Sequence, residues 1–106
     1  MRATRLRTEY LDRPLGLGIR MPRLSWNAEG GIAQTAYRIV ATRDGAEVWD
    51  TGRVESPRMT HVRYEGEPLG SRDRVEWTVT LWDERGTEGE AVASWFELGL
   101  LEAHDW

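Results

Sequence analysis

The feature that most constrains the fold is a strict alternation of apolar and polar residues between Asp73 and Trp82. The two alternating sets are Val75, Trp77, Val79 and Leu81 on one side, and Glu76, Thr78 and Thr80 on the other. Successive side chains of a β-strand point to opposite faces, so this period predicts a strand with one buried face. The same period recurs along the chain, and no segment has convincing helical spacing. The sequence therefore predicts an all-β protein.

Turn-forming residues divide the chain into seven such segments. The predicted strands cover residues 2–10, 23–28, 34–43, 46–50, 59–65, 73–82 and 91–98, and residues 53–58 are predicted to form a loop. Seven short strands in 106 residues are typical of a single antiparallel β-sandwich with immunoglobulin or fibronectin type III topology, here spanning residues 1–106. The absence of cysteine favours the fibronectin-like version, which needs no disulfide between its sheets.

The alternation also predicts which side chains face the core. Trp26 and Trp77 are expected at its centre, where a large aromatic side chain stabilises the fold most. The other residues predicted to point inward in the first, second, third and fifth strands are Thr4, Leu6, Thr8 and Tyr10, Leu24, Tyr37, Ile39 and Ala41, and Thr60, Val62 and Tyr64.

Composition excludes several classes of protein. Without cysteine there is no disulfide scaffold, no cysteine metal site and no cysteine nucleophile. The net charge is −4 and no basic block is present, so nucleic acid is not an expected partner. All 14 basic residues are arginine, which suits recognition of phosphate or carboxylate but also follows from codon bias in a GC-rich genome. The chain lacks an apolar run of membrane length and begins with polar residues, so we expect a cytoplasmic protein, or a secreted one whose leader was removed.

No catalytic constellation emerges from the residue spacing. Ser25, Ser56, Ser71 and Ser94 are available nucleophiles and His61 an available base, but nothing in the sequence brings them together. The acidic pairs lie at predicted turns and strand ends. Asp50, Glu55 and His61 are too dispersed to form an organised metal site. We therefore expect no catalytic residue, no metal and no cofactor.

Tryptophan is over-represented, with six residues. The roles of four of them, Trp49, Trp82, Trp95 and Trp106, are not fixed by the strand pattern. Exposed indoles can stack on sugar rings, and they also mark contacts between domains. Both interpretations, a carbohydrate-binding face and an interdomain surface, remain open for these four residues.

An ordered series of short motifs resembles the N-terminal fibronectin type III-like domain of bacterial α-L-rhamnosidases (glycoside hydrolase family 78). The segments that carry the resemblance are Leu6–Tyr10, Pro14–Gly16, Pro22–Trp26, Gln34–Ile39, Val48–Val54, Tyr64–Leu69, Trp77–Asp83 with Gly86, Phe96–Leu101 and Asp105–Trp106. Val75 departs from the family pattern, which has an aromatic residue, usually Tyr, at that position.

The resemblance implies a larger enzyme that hydrolyses terminal α-L-rhamnosyl residues with inversion. In that family the catalytic carboxylates belong to a later (α/α)₆-barrel domain, so no catalytic residue carries over to this chain. The end of the chain coincides with the expected start of the next β-domain. The leading hypothesis is a non-catalytic accessory domain whose partners are other domains of the same enzyme. The alternatives are a carbohydrate-binding module and a generic fibronectin-like adhesion module.

Overall fold

The computed structural model describes residues 1–9, 11, 17–18 and 21–99. Within them the regular structure consists of eight β-strands. In chain order these are β1 (Arg2–Thr8), β2 (Arg23–Glu29), β3 (Ala36–Arg43), β4 (Ala46–Asp50), β5 (Val54–Glu55), β6 (Val62–Arg63), β7 (Arg74–Trp82) and β8 (Val92–Glu97). None of the described residues belongs to a helix long and apolar enough to cross a membrane.

The strands form two antiparallel sheets. One has the order β1-β2-β6, and the other has the order β4-β3-β7-β8, with β5 also paired to β3. The predicted β-sandwich of immunoglobulin-like, fibronectin type III class is therefore confirmed. The predicted strand number is corrected from seven to eight. Val54 and Glu55, expected in a loop, pair with Tyr37 and Ala36 at the start of β3 and add a short strand.

The core lies between the sheets and follows the predicted alternation. Trp26 and Trp77 are each 1% exposed, and the ring of Trp26 packs edge-on against Tyr37 at 5.3 Å between centroids. Every inward position predicted in the alternating row of β7 is buried. Burial of a large apolar side chain contributes roughly 1.5–3 kcal/mol, so these residues supply much of the folding free energy.

The predicted phase of the first strand is wrong at its start. Ala3 is buried, whereas Thr4 is only partly buried. The pairing of β1 with β2 shifts register between Thr4 and Arg7, and Arg5 adopts a positive φ of 49°. This bulge inserts a residue and brings Leu6 and Thr8 back to the buried face. Tyr10 lies outside the described residues.

The predicted fifth strand is much shorter than residues 59–65. Only Val62 and Arg63 form β6, and Thr60 is exposed rather than inward. The reason is local: His61 has a positive φ of 56°, which breaks the extended conformation just before β6. Val62 and Tyr64 are nevertheless buried as predicted.

Candidate functional site

A cleft of about 780 Å³ lies on the side of the sandwich where β4 and β5 of one sheet approach β6 of the other. We call it the arginine cleft. Its lining residues are Arg23, Tyr37, Trp49, Thr51, Val54, Arg58, His61, Val62, Arg63 and Glu65. The lining therefore combines three guanidinium groups with two aromatic side chains.

One wall of the arginine cleft is the loop between β5 and β6, which is tied to the core by a buried amide. Gln34 is 3% exposed, and its Oε1 accepts a hydrogen bond of 3.0 Å from the indole Nε1 of Trp26. Its Nε2 donates to the carbonyl oxygens of Ser56 and Arg58, each at 3.0 Å. A satisfied buried network of this kind fixes the position of the loop.

The guanidinium of Arg58 is held by its own loop. Its Nε donates to the carbonyl of Thr60 at 2.9 Å, and its Nη2 donates to the carbonyl of His61 at 2.7 Å. The backbone amide of Arg58 donates to Ser56 Oγ at 3.1 Å. The side chain is therefore ordered before any ligand arrives.

A second arginine of the cleft is neutralised within the protein. Arg23 Nη2 lies 2.7 Å from Glu9 Oε2, and the backbone amide of Arg23 donates to Glu9 Oε1 at 2.9 Å. These hydrogen bonds from Arg23 hold the pKa of Glu9 below its ordinary value. A planar guanidinium matches a carboxylate in two-point contact, so this pair illustrates the anion chemistry of the cleft.

Arg63 stands opposite Arg23 in the pairing of β2 with β6. Like charges that face each other across neighbouring strands are destabilising. Arg63 is exposed, and within the described part of the chain its guanidinium has neither an ion pair nor a hydrogen bond. The cleft thus holds one guanidinium that is free to bind.

Trp49 forms part of the opposite wall. It is half-buried and packs edge-on against Tyr64, with 5.1 Å between ring centroids. Tyr64 is 1% exposed, and its hydroxyl donates to the carbonyl of Glu67 at 2.7 Å. Burial raises the pKa of Tyr64 to about 12, so its hydroxyl stays protonated at neutral pH and keeps its hydrogen bond to Glu67.

Comparison with known proteins identifies the family. Residues 3–102 match the family model described as the Rha78A-like, N-terminal immunoglobulin domain. The chain belongs to this family. It is 40% identical to the α-L-rhamnosidase of Streptomyces avermitilis, covering 100% of this chain and 11% of that enzyme. It is also 36% identical to an α-L-rhamnosidase of Formosa agariphila, covering 93% of this chain and 12% of that enzyme.

Solved structures agree with the sequence relatives. The Streptomyces avermitilis α-L-rhamnosidase complexed with L-rhamnose superposes with a TM-score of 0.89 at 39% identity, over 99% of this chain and 11% of that one. The α-L-rhamnosidase from Dictyoglumus thermophilum gives a TM-score of 0.91 at 30% identity, over 100% and 13%. The Rha78A-like domain described here spans only about a tenth of these relatives.

Of the four tryptophans singled out from the sequence, the three that the structure describes do not converge on one surface of the Rha78A-like domain. Trp49 lines the arginine cleft, whereas Trp95 lines a shallower depression of about 370 Å³ formed by β3, β7 and β8. Trp82 is only 7% exposed and is covered by the Arg53 guanidinium at 4.9 Å. The ring of Trp95 is likewise covered by Arg74 at 4.3 Å. Trp106 lies outside the described residues.

Five of the residues considered for catalysis or metal binding are engaged in structure. Ser25 and Ser94 are buried, and Ser56 supports the loop through its hydroxyl. Asp50 is paired with Arg38 at 2.6 Å, and Glu55 with Arg53 at 2.8 Å. Across residues 1–9, 11, 17–18 and 21–99, no three His, Asp or Glu side chains are grouped to hold a metal ion.

Sequence reasoning missed Gln34, Arg58 and Arg63 as parts of one site. Two features of the sequence pointed toward it. Gln34 lies between a predicted turn and the apolar residues of a strand. A polar side chain that is buried there needs hydrogen-bond partners within the protein. Arg58 and Arg63 flank a stretch with no acidic residue. Neither feature shows that the loop and β4 line the same cleft.

Proposed function

We propose that this chain is a non-catalytic accessory domain of an α-L-rhamnosidase-like glycoside hydrolase that hydrolyses terminal α-L-rhamnosyl residues. Its role is to pack against other domains of that enzyme. The observation that carries the proposal is the match of nearly the whole chain to about a tenth of each rhamnosidase relative. A domain of this size, in which Ser25 and Ser94 are buried and Asp50 and Glu55 are paired with arginines, supports a scaffold role. The cytoplasmic location expected from the polar start of the chain stays a prediction.

The packing surface that we propose lies at the end of the sandwich where β8 finishes. Two large apolar side chains are exposed there, Leu11 at 51% and Met21 at 47%. Leu11 folds back on Thr8 at the end of β1, and Met21 precedes β2. Exposed apolar side chains on a soluble domain are typical of contacts with another protein surface.

The non-catalytic part of the proposal is tested by assaying the 106-residue chain with an aryl α-L-rhamnoside. We expect no turnover above the buffer rate. Activity that co-purifies with this chain and disappears on unfolding would overturn the assignment.

The packing part is tested in a chimera in which this chain replaces the matching segment of the Streptomyces avermitilis enzyme. The double variant Leu11→Glu, Met21→Glu should lower the Tm of the chimera by several degrees more than it lowers that of the isolated chain. Ile32→Glu is the matched control, because Ile32 is 90% exposed at the opposite end of the sandwich. Equal effects of both variants in both proteins would contradict the proposed surface.

A second candidate function is carbohydrate binding, and the observation that favours it is the position of Trp49 in the wall of a large cleft. The test is titration of the chain with L-rhamnose and other sugars while tryptophan fluorescence is recorded. A saturable change that Trp49→Ala abolishes and Trp95→Ala retains supports binding in the cleft. A change that survives Trp49→Ala argues against it.

A further inference from the structure

We propose that the arginine cleft binds a sugar that carries a carboxylate, of the hexuronic acid class. In this site Arg63 and Arg58 bind the carboxylate, and Trp49 contacts the sugar ring. The inference rests on the second candidate function, carbohydrate binding, and adds to it the chemical class of the ligand. It does not depend on the packing role.

The first argument is the placement of charge. Arg23 and Arg63 face each other on neighbouring strands, an arrangement that is unfavourable unless anions neutralise both. Glu9 neutralises Arg23 at 2.7 Å. Arg63 has no equivalent carboxylate within the part of the chain that the structure describes. The protein as a whole has a net charge of −4, so an open cleft with unneutralised arginine is a local exception. An external anion would neutralise Arg63 as Glu9 neutralises Arg23.

The second argument is the state of the two guanidinium groups. Arg58 is fixed through Nε and Nη2 to the carbonyls of its own loop, which leaves Nη1 without a hydrogen bond among the described residues. Arg63 has its whole guanidinium available for a two-point contact. Both donors line the arginine cleft, and the ordered one, Arg58, loses little conformational entropy when it binds a small anion. A carboxylate is the group that this geometry suits, as the Glu9–Arg23 pair already shows.

The third argument is what else lines the cleft. Glu65 also lines the cleft, and its carboxylate repels a multiply charged anion more strongly than a singly charged one and accepts hydrogen bonds from hydroxyl groups. Trp49 provides an aromatic surface to the same space. About 780 Å³ is within the range of small-ligand sites. A ligand with one negative charge, several hydroxyl groups and a ring matches the arginines, Glu65 and Trp49. A hexuronate has all three properties.

The test is a titration of the ¹⁵N-labelled 106-residue chain with D-galacturonate, D-galactose and acetate at equal ionic strength. We expect galacturonate to shift the indole N–H signal of Trp49 and the Nε–H signal of Arg63 saturably. Its affinity should exceed that of galactose by about fivefold or more, since charge-assisted hydrogen bonds are about twice as strong as neutral ones. Acetate should leave Trp49 unshifted.

Variants locate the site. Arg63→Gln should weaken galacturonate binding about fivefold or more, because it removes the free guanidinium. The substitution is at an exposed position, so the fold should be retained. Arg85→Gln is the matched control, since Arg85 is exposed in the turn after β7, and it should bind as the unchanged chain does. Circular dichroism of each variant confirms that the fold is retained.

Each contrary outcome separates the proposals. Equal affinity for galactose and galacturonate overturns the acidic-sugar assignment but leaves neutral carbohydrate binding. Equal affinity for acetate and galacturonate, with the Trp49 signal unshifted, overturns the acidic-sugar assignment. The cleft would then be a site for any carboxylate, including an acidic side chain of another protein. Unchanged binding in Arg63→Gln also overturns it. Absence of binding to all three ligands overturns the acidic-sugar proposal, whereas the separate titration with L-rhamnose decides neutral carbohydrate binding and the chimera decides the packing role.

Discussion

The indole Nε1 of Trp26 donates a 3.0 Å hydrogen bond to Oε1 of Gln34, and this bond joins the centre of the core to a loop on the surface. The same amide also fixes the loop between β5 and β6, because its Nε2 donates to the carbonyls of Ser56 and Arg58. Three hydrogen bonds therefore depend on one side chain that is 3% exposed. The stability of the sandwich and the shape of the arginine cleft are linked through it.

Gln34→Met should be strongly destabilising although its volume is nearly unchanged. The substitution leaves the Trp26 indole N–H and two loop carbonyls without their partner, and an unsatisfied buried polar group costs about 1–3 kcal/mol. We expect a loss of about 2–4 kcal/mol in urea unfolding. Ala33→Met is a useful control, because it places the same side chain at the exposed neighbouring position. A loss below about 0.5 kcal/mol for Gln34→Met would contradict the bridging role.

Trp26→Ala and Trp77→Ala should each cost about 3–5 kcal/mol, since both remove a fully buried aromatic side chain. Trp26→Phe and Trp77→Phe provide the sharper comparison. The indole nitrogen of Trp77 has no hydrogen-bond partner among the described residues, whereas that of Trp26 is bound to Gln34. Trp26→Phe should therefore be more destabilising by about 1–2 kcal/mol. Chemical denaturation of the four variants measures both differences, and a reversed order of the two Phe variants would refute this account.

Gly66→Ala should destabilise the region between β6 and β7. A Cβ at this position would collide with the carbonyl oxygen of Val48 and come within 2.5 Å of Trp49 Cβ. Overpacking of this kind typically costs 1–3 kcal/mol, so we expect a loss of about that size. Gly70→Ala is the matched control, because its nearest neighbour, an Asp73 carboxylate oxygen, would lie 3.8 Å away. Thermal unfolding compares the two, and equal Tm values would rule out the close approach.

Acid should weaken the fold partly through Asp50. Hydrogen bonds from Arg38 and from the Gly52 amide lower the pKa of Asp50 from 3.8 to about 2. A folded-state pKa below the unfolded value means that the stabilisation is present above about pH 4 and is lost as the pH falls toward 2. The pair is largely solvated, so its contribution is about 1 kcal/mol or less.

Asp50→Asn tests this pH dependence. The variant should be less stable than the unchanged chain at pH 7, and the difference should shrink as the pH approaches 2. Glu76→Gln, an exposed substitution in β7, serves as the control. Urea unfolding at several pH values gives the comparison. A difference that stays constant from pH 7 to pH 2 would show that the charge of Asp50 is not responsible.

The alternation in β7 was enough to predict its strand and its buried row, because a strand with one buried face has only one register that places Val75 through Leu81 inward. The strand limits of β4 also follow from sequence, since Asp44-Gly45 marks the turn before it. These are local signals. They predict the structure correctly because the side chains that the alternation places on one face are the ones that the core buries.

The features that escaped prediction depend on contacts between distant parts of the chain. Nothing near Gln34 shows that it will meet Ser56 and Arg58, more than twenty residues away. The arginine cleft exists only because edges of two different sheets approach each other. Trp82 falls in the polar phase of β7 and is nevertheless 7% exposed, because Arg53 covers its ring. Tertiary contacts of this kind override the local pattern.

The bulge in β1 has a consequence for the solubility of the isolated domain. β1 is an edge of the three-stranded sheet, and a flat edge strand offers its free amide and carbonyl groups to any other chain with extended structure. The positive φ of Arg5 breaks that flat edge halfway along, and Arg2, Arg5 and Arg7 place three cations on it. A second copy of the domain therefore meets an interrupted, positively charged edge, and stacking of sandwiches into fibrils is disfavoured at this strand.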